Sequence, residues 1–397
     1  MAFRPAVPVA LAVVQAAGPF KIIILLMAVI LNYRFVGQYG SVLLAANHDY
    51  HGCNWVGDVR HSEQERIALK KIEGHIHLIR AMAGSKGQGR LSPLGNGYAI
   101  WDDGEIIHLL PAGWGDDDFR VEKYLPIMAA ENIEKAVLLQ GTLNGYQNYY
   151  TYQVIKRYPD RFIGAFAVDP FAERAMAIVK RHVEELGFRA IKSEISQAGG
   201  LHGFHKPFRL DSDVQVGQIM HYLADYPGFV VTVDYGDDTQ TSYQPEAIVN
   251  LAKRYPKMDF VVCHLSFPNA DHLERLANVL QQFAPLKNIY LDLSAIQDIN
   301  GKKPADFPYP RCQKTVALAK QIVGAQRLIW GTDSPWSATF NTYHQLAAWL
   351  ENTDLFTDDE LADVMYNNAN RVYFKAANVA AAQAAEDPVA ARFKKSR

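Results

Sequence analysis

The sequence predicts an α/β protein: a (β/α)8 TIM barrel with an N-terminal extension and a long insertion after strand 1. Two observations carry this reading. From residue 71 onward, short apolar, β-branched or aromatic runs alternate with amphipathic helical stretches, the pattern of βα units on a parallel sheet. There are eight such runs, and after the first gap each interval holds one strand and one helix.

The strand candidates in order are 71–77 (KIEGHIH), 134–140 (EKAVLLQ), 162–169 (FIGAFAVD), 188–194 (FRAIKSE), 228–234 (GFVVTVD), 258–264 (MDFVVCH), 288–294 (NIYLDLS) and 327–333 (RLIWGTD). Their starts lie 63, 28, 26, 40, 30, 30 and 39 residues apart. Between them, 172–186 sets Ala175, Ile178, Val179, Val183 and Leu186 at helical spacing and stops at Gly187. Three helical stretches end in Tyr-Pro just before a strand, at Tyr158-Pro159, Tyr226-Pro227 and Tyr255-Pro256. Proline cannot continue a helix, so these pairs punctuate the repeat. A doubly wound open sheet is the competing fold, but no GxGxxG follows the first strand.

Domain boundaries follow from the same pattern: an extension over 1–65, a barrel over 66–380 and a polar tail over 381–397. The extension carries the apolar run Ile22 to Leu31. Ten residues span about 15 Å as a helix, half of a ~30 Å hydrocarbon core. The expectation is a cytoplasmic protein, with a signal peptide or membrane anchor as alternatives, any membrane association being confined to residues 1–35.

Composition removes several function classes. Of 397 residues, 49% are hydrophobic and 21% charged, a globular balance. Forty Lys and Arg against 42 Asp and Glu give a net charge of −2, so no basic field is present to hold nucleic acid. Cys53, Cys263 and Cys312 are odd in number and widely spaced, which excludes a disulfide framework and a thiolate zinc site. A small-molecule substrate and a homo-oligomeric assembly are expected.

Barrel chemistry sits at the carboxyl ends of the strands. The runs end in His75 and His77, Gln140, Asp169, Lys192 with Glu194, Asp234, His264, Ser294 and Asp333. His75 and His77, two apart on one strand, face one side and can grip a single cation. Strands one and eight are neighbours once a barrel closes, so Asp333 converges on them. A pair of satisfied rim histidines is the bland alternative. Asp234 reads as a fourth ligand, a substrate contact or an Asx-turn residue before Gly236. His264 suits polarisation of a carbonyl or a structural hydrogen bond. Lys192 and Glu194 form an ion pair, bind a substrate carboxylate or bridge a second metal.

These motifs, IEGHIH, GFRAIKSE, FVVCHLS and LIWGTDSPW with the closing YNNANRVYF (366–374), resemble the amidohydrolase superfamily over 71–375. Within it they are similar to the amidohydrolase-related group that contains aminocarboxymuconate-semialdehyde decarboxylase and lactone hydrolases. The resemblance implies one divalent metal, commonly zinc, held by His75, His77 and Asp333. It also implies that Asp333 shuttles the proton of a bound water and that His264 is catalytic or orients the substrate. Two positions depart from the pattern: Glu73 replaces the usual aspartate before the first histidine, and Asp234 replaces a strand-five histidine. A carboxylate there favours a harder ion, making manganese the alternative to zinc.

The function expected is metal-dependent hydrolysis of a C–O or C–N bond (a lactone, ester or amide) in a small carboxylated or cyclic substrate. Asp333 moves the proton, while His264, Lys192, Glu194, Tyr235 and Trp336 hold the substrate. Non-oxidative decarboxylation of an aromatic or muconate-type acid is the runner-up, and a catalytically silent ligand-binding barrel is the alternative of another class. The insertion, with its glycine-rich 84–97 and the segment 111–118, is read as a lid or specificity loop over the barrel mouth.

Overall fold

A computed structural model describes residues 69–387, apart from 198 and 302–305. The extension at 1–65, with its apolar run, and the tail from 388 lie outside the described residues. No described helix is long and apolar enough to cross a membrane.

The eight barrel strands are β1 (Lys71–Ile76), β6 (Ile133–Leu138), β7 (Phe162–Gly164), β8 (Ala190–Glu194), β9 (Val230–Asp234), β10 (Asp259–Val262), β11 (Ile289–Asp292) and β12 (Leu328–Ile329). All pair in parallel, as two sheets in the orders β1-β6-β7 and β12-β11-β10-β9-β8. Single parallel bridges join the sheets at both seams, Phe166 with Ile191 and Ile76 with Ser334. Backbone hydrogen bonds from Lys192 N–H to the Phe166 carbonyl (2.8 Å) and from His77 N–H to the Ser334 carbonyl (2.9 Å) carry the ring round. The second seam needs glycine. A Cβ on Gly74 would sit 2.6 Å from the Trp330 carbonyl oxygen, and one on Gly331 would sit 2.9 Å from His75 Cβ.

Two strands are shorter than their apolar runs. After Gly164 the Asn148 side chain takes over as partner, donating to the Ala167 carbonyl (2.7 Å) and accepting from its N–H (2.9 Å). After Ile329 the chain turns into the site, and Asp333 adopts a left-handed φ of 59°.

Helices cover the outside. The helix Val214–Leu223 shows the local logic: Asp213 caps it, accepting from the N–H groups of Gln215 and Val216, and it buries Val216, Ile219, Met220 and Leu223. The predicted helix at 172–186 begins as Ala175–Lys180, continues as a wider π turn over Arg181–Glu185, and stops at Gly187 with φ 71°.

Inside the ring, Ile72, Val137, Ile163, Ala190, Val230, Val261 and Ile329, one from each of seven strands, form an apolar layer. Ala369, Val372, Tyr373 and Phe374 pack with them, and the Tyr373 hydroxyl meets Thr232 Oγ1 at 2.7 Å. Side chains repeat every second residue along a strand. The next inward positions above this layer are therefore Lys192, Thr232, Cys263 and Gly331, and above them come Glu194, Asp234 and Asp333. The apolar layer is the floor on which the polar site stands.

The insertion differs from the expected loop. It folds as a four-stranded antiparallel sheet in chain order: β2 (Ser85–Lys86), β3 (Gly89–Gly95), β4 (Tyr98–Trp101) and β5 (Ile106–His108). Gly95 pairs with Tyr98 across a two-residue turn, Asn96-Gly97, with φ of 52° and 79°. Positive φ at both positions is the geometry that matches hairpin twist.

Candidate active site

Three donor atoms meet at the carboxyl end of the ring. His75 Nε2 lies 3.2 Å from His77 Nε2, and Asp333 Oδ1 lies 3.2 Å from the first and 3.0 Å from the second. Donors bound tetrahedrally at about 2.0–2.1 Å stand ~3.3 Å apart, so this triangle is close to the size a zinc-like cation needs. The other ring nitrogens are committed: His75 Nδ1 to Asp292 Oδ2 at 3.0 Å and His77 Nδ1 to the Leu139 carbonyl at 3.1 Å. Each Nδ1–H donates outward, which turns both Nε2 lone pairs toward the common point. A set of two imidazoles and one carboxylate fits a divalent cation. His77 and Asp333 are each 15% exposed and His75 is fully buried, so the point is reached from the mouth.

His75, Cys263 and His264 form a second group with donors close together, all buried. The Lys192 ammonium stands 3.4 Å from both His75 Nε2 and Cys263 Sγ, between two of its members. The first set is the better cation site.

His264 opens an unusual turn. Residues His264, Leu265, Ser266 and Phe267 all have φ between 50° and 59°, a left-handed run without glycine. Each such residue costs about 1–2 kcal/mol, so tertiary partners must hold it. Asp292 Oδ1 accepts from His264 N–H at 2.9 Å, and Ser266 Oγ meets the Tyr235 hydroxyl at 2.7 Å. Arg275 donates to the Phe267 carbonyl. The His264 ring is fixed beside His75, with centroids 5.1 Å apart, its Nδ1 3.0 Å from the Ser294 carbonyl and its Nε2 3.4 Å from Asp234 Oδ2.

Charges in this cluster are mutually supported. Burial works against every ion here, yet the His75 and His77 imidazoles beside it hold Asp333 well below the usual carboxylate range. Burial also opposes ionisation of Asp292 and Asp234, but His75 holds the first down and His264 the second. Burial alone would lower His264, but Asp234, Asp333 and Asp292 raise it to about 9. Burial likewise opposes the charge on Lys192, which Cys263, Asp234, Glu194 and Asp333 hold above the ordinary lysine value. Three ionised carboxylates face two cations, an excess of negative charge where the donors converge. Glu194 differs: burial, with Asp234 and Asp333 adding to it against Lys192, pushes its carboxyl up to about 8.

A cavity of about 190 Å³ opens above the donors. Its lining includes His77, Asp333, Glu194, Trp336, Leu109 and Asn144. Glu194 and Trp336 thus stand where a substrate would touch them. Lys192, His264 and Asp234 lie behind this wall. Asp234 is not among the converging donors: Oδ1 accepts from Gly236 N–H at 2.9 Å, the Asx-turn contact, and Oδ2 faces His264. Tyr235 requires a correction. Next to Asp234 on the strand, it points to the opposite face, is fully buried and braces the left-handed turn through Ser266. It supports His264 rather than a substrate.

Asp292 escaped the sequence reading, which took Ser294 as the end of its strand. Its two oxygens serve His75, His264 and the Ser294 N–H and hydroxyl. Inward alternation was the available signal, because Asp292 sits two residues before Ser294 and shares its face.

Glu73 is also structural. The β1–β6 register breaks between Glu73 and Ile76, and Glu73 accepts from the N–H groups of His75 (3.0 Å) and Thr332 (2.8 Å) and from the Tyr343 hydroxyl (3.0 Å). Burial outweighs these bonds and raises its carboxyl from 4.5 to about 8. The folded protein therefore keeps a proton that the unfolded chain releases above 4.5. Its contribution is complete below 4.5 and is lost as pH rises toward 8, at up to ~1.4 kcal/mol per pH unit. Glu73→Gln should keep the fold and flatten the decline of Tm between about pH 5 and 8. An unchanged pH slope in that variant would show Glu73 already ionised.

Fold and site together define a parallel-barrel enzyme of the amidohydrolase type with a candidate site for one divalent cation. The chain belongs to the amidohydrolase family, whose model matches residues 72–375. It is 24% identical to the L-fucono-1,5-lactonase of Burkholderia ambifaria over 237 residues, 59% of this chain and 76% of that protein. It is 26% identical to protein fluG of Emericella nidulans over 145 residues, 32% of this chain, and there spans only 15% of the relative's length. An amidohydrolase structure from Burkholderia multivorans with bound zinc has the same fold, with TM-score 0.59 and 17% identity over 77% of this chain and 99% of that one.

Proposed function

We propose that this protein is a metal-dependent hydrolase that opens a small lactone, with other esters and amides as slower substrates. The observation that carries the reading is the placement of Asp333. It is an ionised carboxylate that touches both imidazole Nε2 atoms and lines the cavity. His75, His77 and Asp333 would hold one divalent cation, zinc first and manganese second. Such a cation, when bound, supplies Lewis acidity that polarises a carbonyl and acidifies a water.

The chain's own residues do the rest. Asp333 keeps a free carboxylate oxygen to accept the attacking water's proton and return it to the leaving oxygen. Trp336 and Leu109 wall the cavity against bulk water, and its volume lies below the ~300 Å³ at which pockets for drug-sized ligands begin. His264 and Lys192 hold positive charge behind the wall and keep the buried carboxylates ionised. The similarity to a lactonase supports the same reading.

The test is product analysis with zinc- or manganese-loaded protein. Ring-opened hydroxy acid from a lactone, followed by proton release and NMR, is expected. Release of CO2 from a dihydroxybenzoate with no lactone opened would contradict it and install the decarboxylase reading.

A further inference from the structure

Glu194, Asp234 and Asp333 share one level of the ring, and the three carboxyls are not held alike. Asp333 Oδ1 lies 3.2 and 3.0 Å from the Nε2 atoms of His75 and His77, and Asp234 Oδ2 lies 3.4 Å from His264 Nε2. Glu194 is seated against glycine instead. A Cβ on Gly141 would collide with its Oε2, and one on Gly199 would stand 3.0 Å from its Oε1. Lys192, two residues back on the same face, turns its ammonium to His75 Nε2 and Cys263 Sγ, 3.4 Å from each. The strand register also sets Glu194 directly beside Asp234. Like charges crowded in a site of low dielectric cannot all ionise, and the proton stays on the group with the weakest support. That group is Glu194, whose carboxyl lines the cavity together with Asp333. A protonated carboxyl is a donor as well as an acceptor. Facing a cavity, it can hold a hydrogen bond on an oxygen that gains negative charge, as backbone amides do in oxyanion holes.

We propose that Glu194 is a catalytic residue: a neutral carboxylic acid that donates a hydrogen bond to the substrate's carbonyl oxygen as negative charge builds there, while ionised Asp333 takes the proton of the attacking water. Imidazoles face one carboxyl and glycines the other, which is why the acceptor and donor roles divide between them. Glu194 keeps its proton throughout and moves none. Its catalytic role rests on the hydrolase reading, but its charge state does not. Burial, aided by Asp234 and Asp333 and opposed by Lys192 and His264, keeps the proton on Glu194 up to about pH 8. Tyr146 also faces it: burial, Glu194 and Asp169 together push that phenol up. A cation held by His75, His77 and Asp333 would draw the Glu194 value down, so metal-loaded protein is the sample that tests it.

Infrared difference spectra of the metal-loaded full-length protein at pH 6.5 read the charge state without any turnover. The carboxylic-acid C=O band of wild type should lose one component in Glu194→Gln, the component that is not Glu73. Turnover is read with γ-butyrolactone and dihydrocoumarin. Glu194→Ala should lower kcat by about 100-fold or more, because a donor to the developing oxyanion is lost. Glu194→Gln keeps an N–H donor and should stay within about tenfold of wild type. Wild-type kcat should fall as pH rises toward 8 and Glu194 ionises, whereas Glu194→Gln should lack that decline. Both variants should bind metal as wild type does, since Glu194 is not among the converging donors.

An infrared spectrum unchanged by Glu194→Gln would overturn the proposal, because Glu194 would then be ionised. So would a Glu194→Gln enzyme as impaired as Glu194→Ala, or a Glu194→Ala enzyme with wild-type kcat. The acid band present in a metal-loaded protein that opens neither lactone would instead count against the hydrolase reading and leave the state of Glu194 standing.

Discussion

Asp292→Ala is expected to cost this protein both its metal affinity and much of its stability, although Asp292 never faces the cavity. Its loss leaves His75 Nδ1, the His264 N–H and the Ser294 N–H without their buried acceptor. Each such group costs roughly 1–3 kcal/mol, so the total should reach about 3 kcal/mol or more. The left-handed run at His264–Phe267 loses a tertiary bond that holds it, and Tm should fall accordingly. With His75 free to rotate or change tautomer, metal affinity should drop by about 10–100-fold. Asp292→Asn separates the two effects. An asparagine can still accept from His264 N–H but places an amide N–H against the His75 Nδ1–H, so the fold should survive while affinity falls. Chelator competition and thermal melts on both variants read these quantities. Wild-type affinity in Asp292→Asn would show that His75 does not depend on this carboxylate for its orientation.

His77→Ala should abolish turnover and lower cation affinity by at least about 100-fold, beyond what loss of a supporting partner alone produces. One of the three converging donors is gone, and among the described residues no neighbouring side chain replaces it: Asp234 is turned to Gly236 and His264. The fold should persist, because the His77 ring lies at the cavity wall and not within the apolar floor. Circular dichroism and a melt within a few degrees of wild type check that the loss is local. Normal catalysis by the variant would refute the assigned site.

Much of this arrangement was legible in sequence because a barrel converts position into geometry. Polar residues ending apolar runs became the ring of inward groups, and His75, His77 and Asp333 met because strands one and eight are neighbours. Period-two alternation also marks where the reading slipped. Tyr235 suits a substrate contact as an aromatic residue at a strand end, yet the residue next to inward Asp234 must point the other way. Asp292 lies two residues before Ser294, the last polar residue of its run, and only alternation marks it as inward.

Other features had no local signature. His264-Leu265-Ser266-Phe267 contains no glycine, and its left-handed backbone exists because Asp292, Tyr235 and Arg275 hold it from elsewhere in the chain. The insertion did carry a signal, Asn96-Gly97 flanked by residues that pair as a hairpin. Its glycine content was read as loop where the dipeptide specified a turn between strands.

Metal content of the purified full-length protein decides whether the converging donors are a metal site at all. Elemental analysis should find about one zinc or manganese per chain, removable by chelator and restored with activity on reloading. Folded protein that holds no divalent metal as purified, takes none up when offered it and shows the same activity with or without it would contradict the assignment of His75, His77 and Asp333 as ligands.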